Sequence, residues 1–309
     1  MTGTGAAGSA NAVLAAALLA CPSCGGKLSP FLGEGETRCV GCEAAFPVLA
    51  DVPILVADPV AYVAEHRTAI LSALAELADC TPTELATVER WARRRGATTQ
   101  RLFDDDFTRP EEHGSTPSLA TTDAGFLAFV SAAAQATPLT RLLRLHGRPL
   151  GRTVEVGCGA GSESAHIAKQ ADGLVLTDLS LRAVLLARDR ASDAGKPVIG
   201  AVMDAENLAL REASCESILA LHLVDVLADP FSFLESASGA LVRRGALLLS
   251  TPNPALGLPD GPPELLDEVA SGAGLEVTGR ADGVPWLRIH SDREVQVFFV
   301  RLLVLLRGH

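Results

Sequence analysis

Apolar positions fall into two regimes along this chain. From residue 150 onward, short unbroken apolar runs alternate with helical stripes. Thr153–Val156, Leu174–Leu176, Val198–Val202 and Ser217–Asp225 read as buried strands. Between them, Ser162–Gln170 and Ser180–Gly195 read as helices, the second with Leu181, Val184 and Leu185 turned inward, and Asp229-Pro230 caps a helix beginning at Phe231. A helix over Glu264–Gly272 follows. Leu275–Thr278 and Val295–Leu306 then read as an antiparallel hairpin, with GVPWLRIHSDRE overhanging whatever site the sheet carries. Trp286 in that overhang is either a stacking platform or plain packing.

Before residue 150 the pattern is sparser. Met1–Ala10 is small and polar and reads as disordered, and Asn11–Ala20 as a short apolar helix. Asp58-Pro59 opens a helix whose Val63, Ile70, Leu74 and Leu77 share one face, and the lone thiol Cys80 ends it. Thr81-Pro82-Thr83-Glu84 is a capping box with proline at the first helical position. Leu85, Val88 and Ala92 make the apolar face of that helix, and Arg93, Arg94 and Arg95 close it before Gly96. Gln100–Ser118 reads as a loop carrying Asp104, Asp105, Asp106, Glu111, Glu112 and His113; Phe126–Ala136 and Leu139–His146 read as helices.

The candidate chemistry starts where the strand at Thr153–Val156 ends. The stretch Glu155-Val156-Gly157-Cys158-Gly159-Ala160-Gly161-Ser162 places three glycines between a strand and a helix. Glycines there allow left-handed backbone and let a ligand come close to the chain. The dinucleotide fingerprint wants a third glycine where Ser162 stands, so an ordinary nucleotide site is the weaker reading. Asp178 ends the next apolar run, where an acidic residue can hold ribose hydroxyls. Met203-Asp204-Ala205-Glu206-Asn207-Leu208 follows the third strand, and His222 lies near the end of the fourth.

This order of motifs resembles class I S-adenosylmethionine-dependent methyltransferases over roughly residues 150–309. The resemblance implies a Rossmann-like α/β fold with a mostly parallel seven-stranded sheet and S-adenosylmethionine as cofactor. It further implies a cofactor-binding set of Glu155, Gly157, Cys158, Gly159, Gly161, Asp178, Leu179, Asp204, Ala205 and His222. In that set Asp178 holds the ribose, Leu179 lies on the adenine, Asp204 accepts from the adenine amino group and the Ala205 N–H reaches the ring. His222 falls beside the methionine part, the one candidate general base, or else merely a pocket wall; the catalytic residue is otherwise unknown. VRRGALLLSTPNP matches the fifth strand and its turn, where Lys-Pro-Gly-Gly is more usual. The [D/N]-P-P-[Y/F] motif of adenine-N6 and glutamine methyltransferases belongs after the fourth strand; LHLVD stands there instead. A Pro-Cys nucleophile is absent too, and Cys158 and Cys215 have no thiol partner near them in sequence.

Cys21, Cys24, Cys39 and Cys42 form two C-x-x-C pairs with fourteen residues between them. Two such knuckles supply the tetrahedral sulfur cage that zinc prefers, with no open position for catalysis. Two disulfides or a redox pair are the alternatives. The run CPSCGGKL, the second C-x-x-C and then Phe46, Pro47, Val48, Pro53, Ile54 and Leu55 resembles the small zinc-ribbon proteins that activate tRNA, rRNA and release-factor methyltransferases. The resemblance implies such a module fused in cis. An N-terminal zinc module also resembles rRNA guanine-N1 methyltransferases, but those use a Cys3His-type set and this chain has four cysteines. The expected division is a zinc ribbon at 1–57, a helical linker and substrate lid at 58–149, and the cofactor-binding domain at 150–309.

Length supports more than one unit, and 48% hydrophobic residues is ample for a core. Net charge is −11. That balance disfavours nucleic acid as a partner without excluding it, because a local patch formed by Arg93–Arg95, or by Arg141, Arg144, Arg148 and Arg152, is enough. Aromatics at 4% also disfavour base stacking. A small molecule or peptide is therefore the expected substrate, an RNA the alternative, and a non-catalytic scaffold the third reading. No apolar run is long enough to span a membrane. AVLAAALLAC looks like a signal or lipoprotein segment, but no Lys or Arg precedes it, so a cytoplasmic location is expected.

Overall fold

A computed structural model describes residues 4–31, 35–78, 80–93, 125, 137–256, 264–291 and 294–308. Its centre is one sheet of ten strands: β1 (Gly35–Arg38), β2 (Ala45–Leu49), β3 (Val52–Leu55), β4 (Arg152–Val156), β5 (Gly173–Asp178), β6 (Val198–Met203), β7 (Cys215–Leu221), β8 (Leu241–Thr251), β9 (Leu275–Ser291) and β10 (Glu294–Arg307). They lie in the order β1-β2-β3-β6-β5-β4-β7-β8-β10-β9. From β3 to β8 every neighbour is parallel, and β10 and β9 close the far edge antiparallel. The seven strands expected from the sequence are β4 to β10. Three more extend them, because β3 pairs with β6 through Ile54↔Val202 and Leu55↔Met203.

The strands alternate their side chains between two cores. Val154, Val156, Val175, Ala201, Ile218 and Ala220 face α1 (Thr4–Leu18), α8 (Pro230–Ala240) and α9 (Leu265–Gly272). Leu174, Leu176, Val202 and Leu219 face α3 (Arg67–Leu77), α5 (Pro138–His146) and α7 (Leu181–Ala191). Burial on both faces explains why these strands read as unbroken apolar runs.

Three local expectations are corrected. Helix α1 begins at Thr4, so the small residues before Asn11 that read as disordered are helical from that point. The helix expected from Asp58 to Cys80 is two helices, α2 (Pro59–Glu65) and α3, because His66 at φ −100°, ψ 15° breaks the run. Of the overhang GVPWLRIHSDRE, Gly283–Ser291 is strand: β9 runs on to Ser291, with Trp286 paired to Phe298, and residues 292–293 lie outside the described residues. Register shifts along that pair absorb the irregular residues, including Gly283 at φ 66°. The capping box is as read: Thr81 accepts from the Glu84 N–H and Glu84 accepts from the Thr81 N–H at the start of α4 (Pro82–Ala92). Arg94, Arg95, the acidic loop of Asp104 to His113, and Phe126–Ala136 lie outside the described residues. Of the expected lid, α2 to α4 form one group that packs on α7 and on the β2–β3 turn, and α5 packs on β8, β9 and β10.

Candidate active site and candidate metal centre

The four paired cysteines converge. Cys21 Sγ lies 3.7 Å from Cys42 Sγ and Cys24 Sγ 3.5 Å from Cys39 Sγ, with all four sulfurs within 4.8 Å of one another. A tetrahedron with Zn–S bonds of about 2.3 Å has sulfur–sulfur edges of about 3.8 Å, so the spacing suits a closed four-sulfur site. All four are free thiols. Each knuckle is folded by its own backbone: Gly25 N–H donates to Cys21 O at 2.8 Å and Glu43 N–H to Cys39 O at 3.1 Å. The N–H groups of Gly41 and Cys42 point at Cys39 Sγ, at 3.3 and 3.5 Å. The Cys42 N–H contributes most to drawing the Cys39 thiol down to about 7. Gly26 closes the cage from behind, where a Cβ would stand 2.9 Å from Cys39 Sγ and 3.1 Å from Cys24 Sγ.

The candidate cofactor residues gather at the carboxyl edge of the parallel strands, the edge where open α/β sheets take ligands. β4 ends at Val156 and the chain turns through Gly157, Gly159 and Gly161 at φ 68°, 51° and 80° before α6 (Ser164–Gln170). Gly161 is irreplaceable on space as well as on φ, since a Cβ there would lie 2.4 Å from Ala187 Cα in α7. Cys158 N–H donates to Thr177 O at 3.0 Å, which ties the turn to β5. Burial keeps the Cys158 thiol protonated.

Asp178 ends β5, and both of its carboxylate oxygens are held by backbone. Oδ2 accepts from Gly159 N–H and Oδ1 from Ser180 N–H, each at 3.0 Å. Glu155, at 4% exposure, accepts the Ser164 hydroxyl at 2.6 Å. Burial first, and then the charges of Glu163 and Asp178, push its carboxyl up to about 8 against the Ser164 hydrogen bond. At the end of β6, Asp204 is exposed and accepts from Glu206 N–H at 3.0 Å, opening the short turn Ala205–Asn207.

His222 follows the last residue of β7 at φ 56°, a conformation that costs a non-glycine residue about 1–3 kcal/mol. Its ring stacks on Trp286, centroids 3.7 Å apart and planes at 15°. Nδ1 lies 3.2 Å from Ser250 Oγ at the end of β8. Burial lowers its pKa to about 4, so the ring is neutral at physiological pH. Trp286 thus packs between His222 and Phe298.

Two partners were invisible in the sequence. Tyr62 of α2 donates to Leu179 O at 2.6 Å across 117 residues, and Ser250 reaches His222 across 28. Neither belongs to a local motif; only the strand order brings them into place. The second basic cluster is partly engaged, because Arg152 forms a multidentate pair with Glu216 and Arg148 donates to Arg244 O. A cavity of about 890 Å³ lies at the amino end of β6, by Arg188, Lys196 and Asp51. It holds none of the glycine-turn residues.

Residues 154–249 match the family described as methyltransferase domain. The chain is 29% identical over 103 residues to a ubiquinone biosynthesis O-methyltransferase of Xanthomonas axonopodis pv. citri, covering 33% of this chain and 43% of that protein. Over 42 residues it is 43% identical to a UPF0434 protein of Idiomarina loihiensis, covering 14% of this chain and 65% of the relative. The chain therefore spans less than two thirds of each relative. Among solved structures, the N-methyltransferase NodS of Bradyrhizobium japonicum WM9 in complex with S-adenosyl-L-homocysteine is similar at 18% identity. That similarity has a TM-score of 0.46 and covers 62% of this chain and 95% of the other.

Proposed function

We propose, for a chain whose residues 154–249 match the methyltransferase-domain family, that it transfers the methyl group of S-adenosylmethionine to a small molecule or peptide, with a structural zinc ribbon fused in cis. The observation that carries this reading is the clamp on Asp178: two backbone N–H groups fix its carboxylate at the end of β5, beside the glycine turn, in the place and direction that a pair of vicinal ribose hydroxyls requires. Bound there, the cofactor supplies a methyl group already activated by the charge on sulfur. The protein then has to hold an acceptor in line and exclude water.

In this reading Asp178 binds the ribose and Leu179, anchored by Tyr62, lies on the adenine. Asp204 and the Ala205 N–H read the adenine edge. Glu155, Gly157, Cys158, Gly159 and Gly161 frame the methionine end, and His222 faces the reacting group. Cys21, Cys24, Cys39 and Cys42 hold the zinc, whose sulfurs are all spoken for, so the ion shapes the fold and takes no part in the chemistry. The division of labour is ribbon at 1–57, helical cover at 58–149 and cofactor domain at 150–309.

A small acceptor fits the net charge of −11, the partly engaged arginines and the relative named for ubiquinone biosynthesis. Incubating the protein with methyl-labelled S-adenosylmethionine and fractionated cell extract tests this. Label is expected in the small-molecule or peptide fraction; label confined to RNA would replace this substrate class with the nucleic-acid one.

A further inference from the structure

We infer that His222 meets the methyl acceptor as a hydrogen-bond donor, locked by Ser250 with its proton on Nε2, and that the acceptor atom is therefore an oxygen that arrives ionised, a carboxylate or an acidic phenol. The inference rests on the methyl-transfer reading above and deepens it.

The argument is a count of protons around one buried hydroxyl. Ser250 is fully buried, and its Oγ lies 3.2 Å from both the His222 backbone nitrogen and Nδ1. The backbone N–H can only donate, so it gives its hydrogen to Ser250, shared between Oγ and the carbonyl oxygen at 2.9 Å. The hydroxyl has one proton of its own to place, and Nδ1 is the acceptor in reach among the described residues. A neutral imidazole carries a single N–H. With Nδ1 accepting, that N–H is at Nε2. The opposite form would leave Ser250 accepting from both nitrogens, its own proton without an acceptor among the described residues.

The surroundings hold the ring to that form. Trp286 covers one face and is itself braced by Phe298 at 5.0 Å. Asp225, on the turn after β7, takes the Thr251 hydroxyl at 2.9 Å and makes no hydrogen bond to the ring. Nε2 has no hydrogen-bond partner among the described residues, and the residue is partly exposed. The backbone conformation at φ 56° swings His222 out of the line of β7 at the ligand edge of the sheet. Nε2 therefore offers a proton and has no lone pair with which to take one.

A donor at that place suits an acceptor that needs no base. The lone pair of an ionised oxygen forms the new carbon–oxygen bond while the carbon–sulfur bond breaks. The electron pair stays on sulfur, the sulfonium becomes a neutral thioether, and no proton is released. His222 orients the anion through Nε2–H and remains neutral throughout. A neutral alcohol or ammonium acceptor would need a base that His222 does not provide.

The test is nitrogen NMR on full-length protein, labelled with 15N-histidine and loaded with zinc and S-adenosylhomocysteine, with the H222N spectrum to assign the signals. Nε2 is expected to carry the proton at neutral pH, and its nitrogen shift to move when benzoate or 4-nitrophenolate is added. In S250A, which removes the hydroxyl that sets the tautomer, a mixture of the two forms is expected. A proton on Nδ1, no movement with either anion, or an unchanged tautomer in S250A would overturn the inference. Calorimetry with S-adenosylhomocysteine on the same sample keeps the two readings apart, since lost cofactor binding sinks the methyl-transfer reading and a wrong tautomer sinks only this one.

Discussion

At Asp178 the chain concentrates most of what the cofactor reading needs in one carboxylate. Each oxygen already accepts one backbone hydrogen bond, so its direction is set before any ligand arrives. Hydrogen bonds to a charged group contribute about 1.5–3 kcal/mol each. D178A should therefore weaken S-adenosylhomocysteine binding by at least about tenfold in calorimetry, and wild-type affinity in that variant would remove Asp178 from the site. Glu155 makes a prediction about pH. Its folded pKa, near 8, lies above the ordinary carboxylate value of 4.5, so between those two pH values the folded state holds a proton that the unfolded state has released. Stability conferred by this group is then full below about 4.5 and falls as pH rises toward 8. E155Q keeps an acceptor for Ser164 and cannot ionise. Its melting temperature relative to wild type, measured without ligand, should rise steadily between pH 5 and 8; a flat difference would mean that Glu155 ionises normally.

The elements show why some of this was legible and some was not. β4 to β8 could be read because their burial on both faces writes itself as continuous apolar runs, and the glycine turn because its residue types are forced by φ and by contact with α7. The continuation of β9 through Trp286 could not, because Gly283 and Pro285 look like loop chemistry and the strand survives only through its long pairing with β10. Local capping was readable, but its second purpose was not. Glu84, 3% exposed, completes the α4 capping box with Oε2 and with Oε1 accepts the N–H of Ala50 at 2.7 Å, thirty-four residues back in the β2–β3 turn. That turn has Ala50 and Asp51 at φ 49° and 62°, and Arg188 holds it from the other side through Ala50 O at 2.6 Å. E84A should cost about 1–3 kcal/mol in urea denaturation, more than an exposed helix cap would. A loss within about 0.5 kcal/mol would show that the turn holds itself.

Over the whole molecule, the segment that carries the four cysteines and the carboxyl edge of the parallel strands are joined. β3 extends the central sheet at β6, and Leu19 bridges Leu210. Ala20 N–H donates to Ala209 O and Arg211 N–H to Leu18 O, at 2.9 and 2.7 Å. The first cysteine knuckle thus leans on the segment that follows Asp204 and Ala205. Among the described residues, no helix is long and apolar enough to cross a membrane. If the four cysteines hold zinc, chelation should lower the melting temperature by at least about 5 °C and weaken cofactor binding in parallel. A chelated protein that melts and binds as before would separate the two units. The most direct test of the central claim combines native mass spectrometry of protein purified without added ligand with calorimetric titration by S-adenosylhomocysteine. The account predicts one zinc per chain and binding at micromolar concentration or tighter. Zinc without cofactor binding would contradict the methyltransferase reading, and cofactor binding without zinc would contradict the metal assignment of Cys21, Cys24, Cys39 and Cys42.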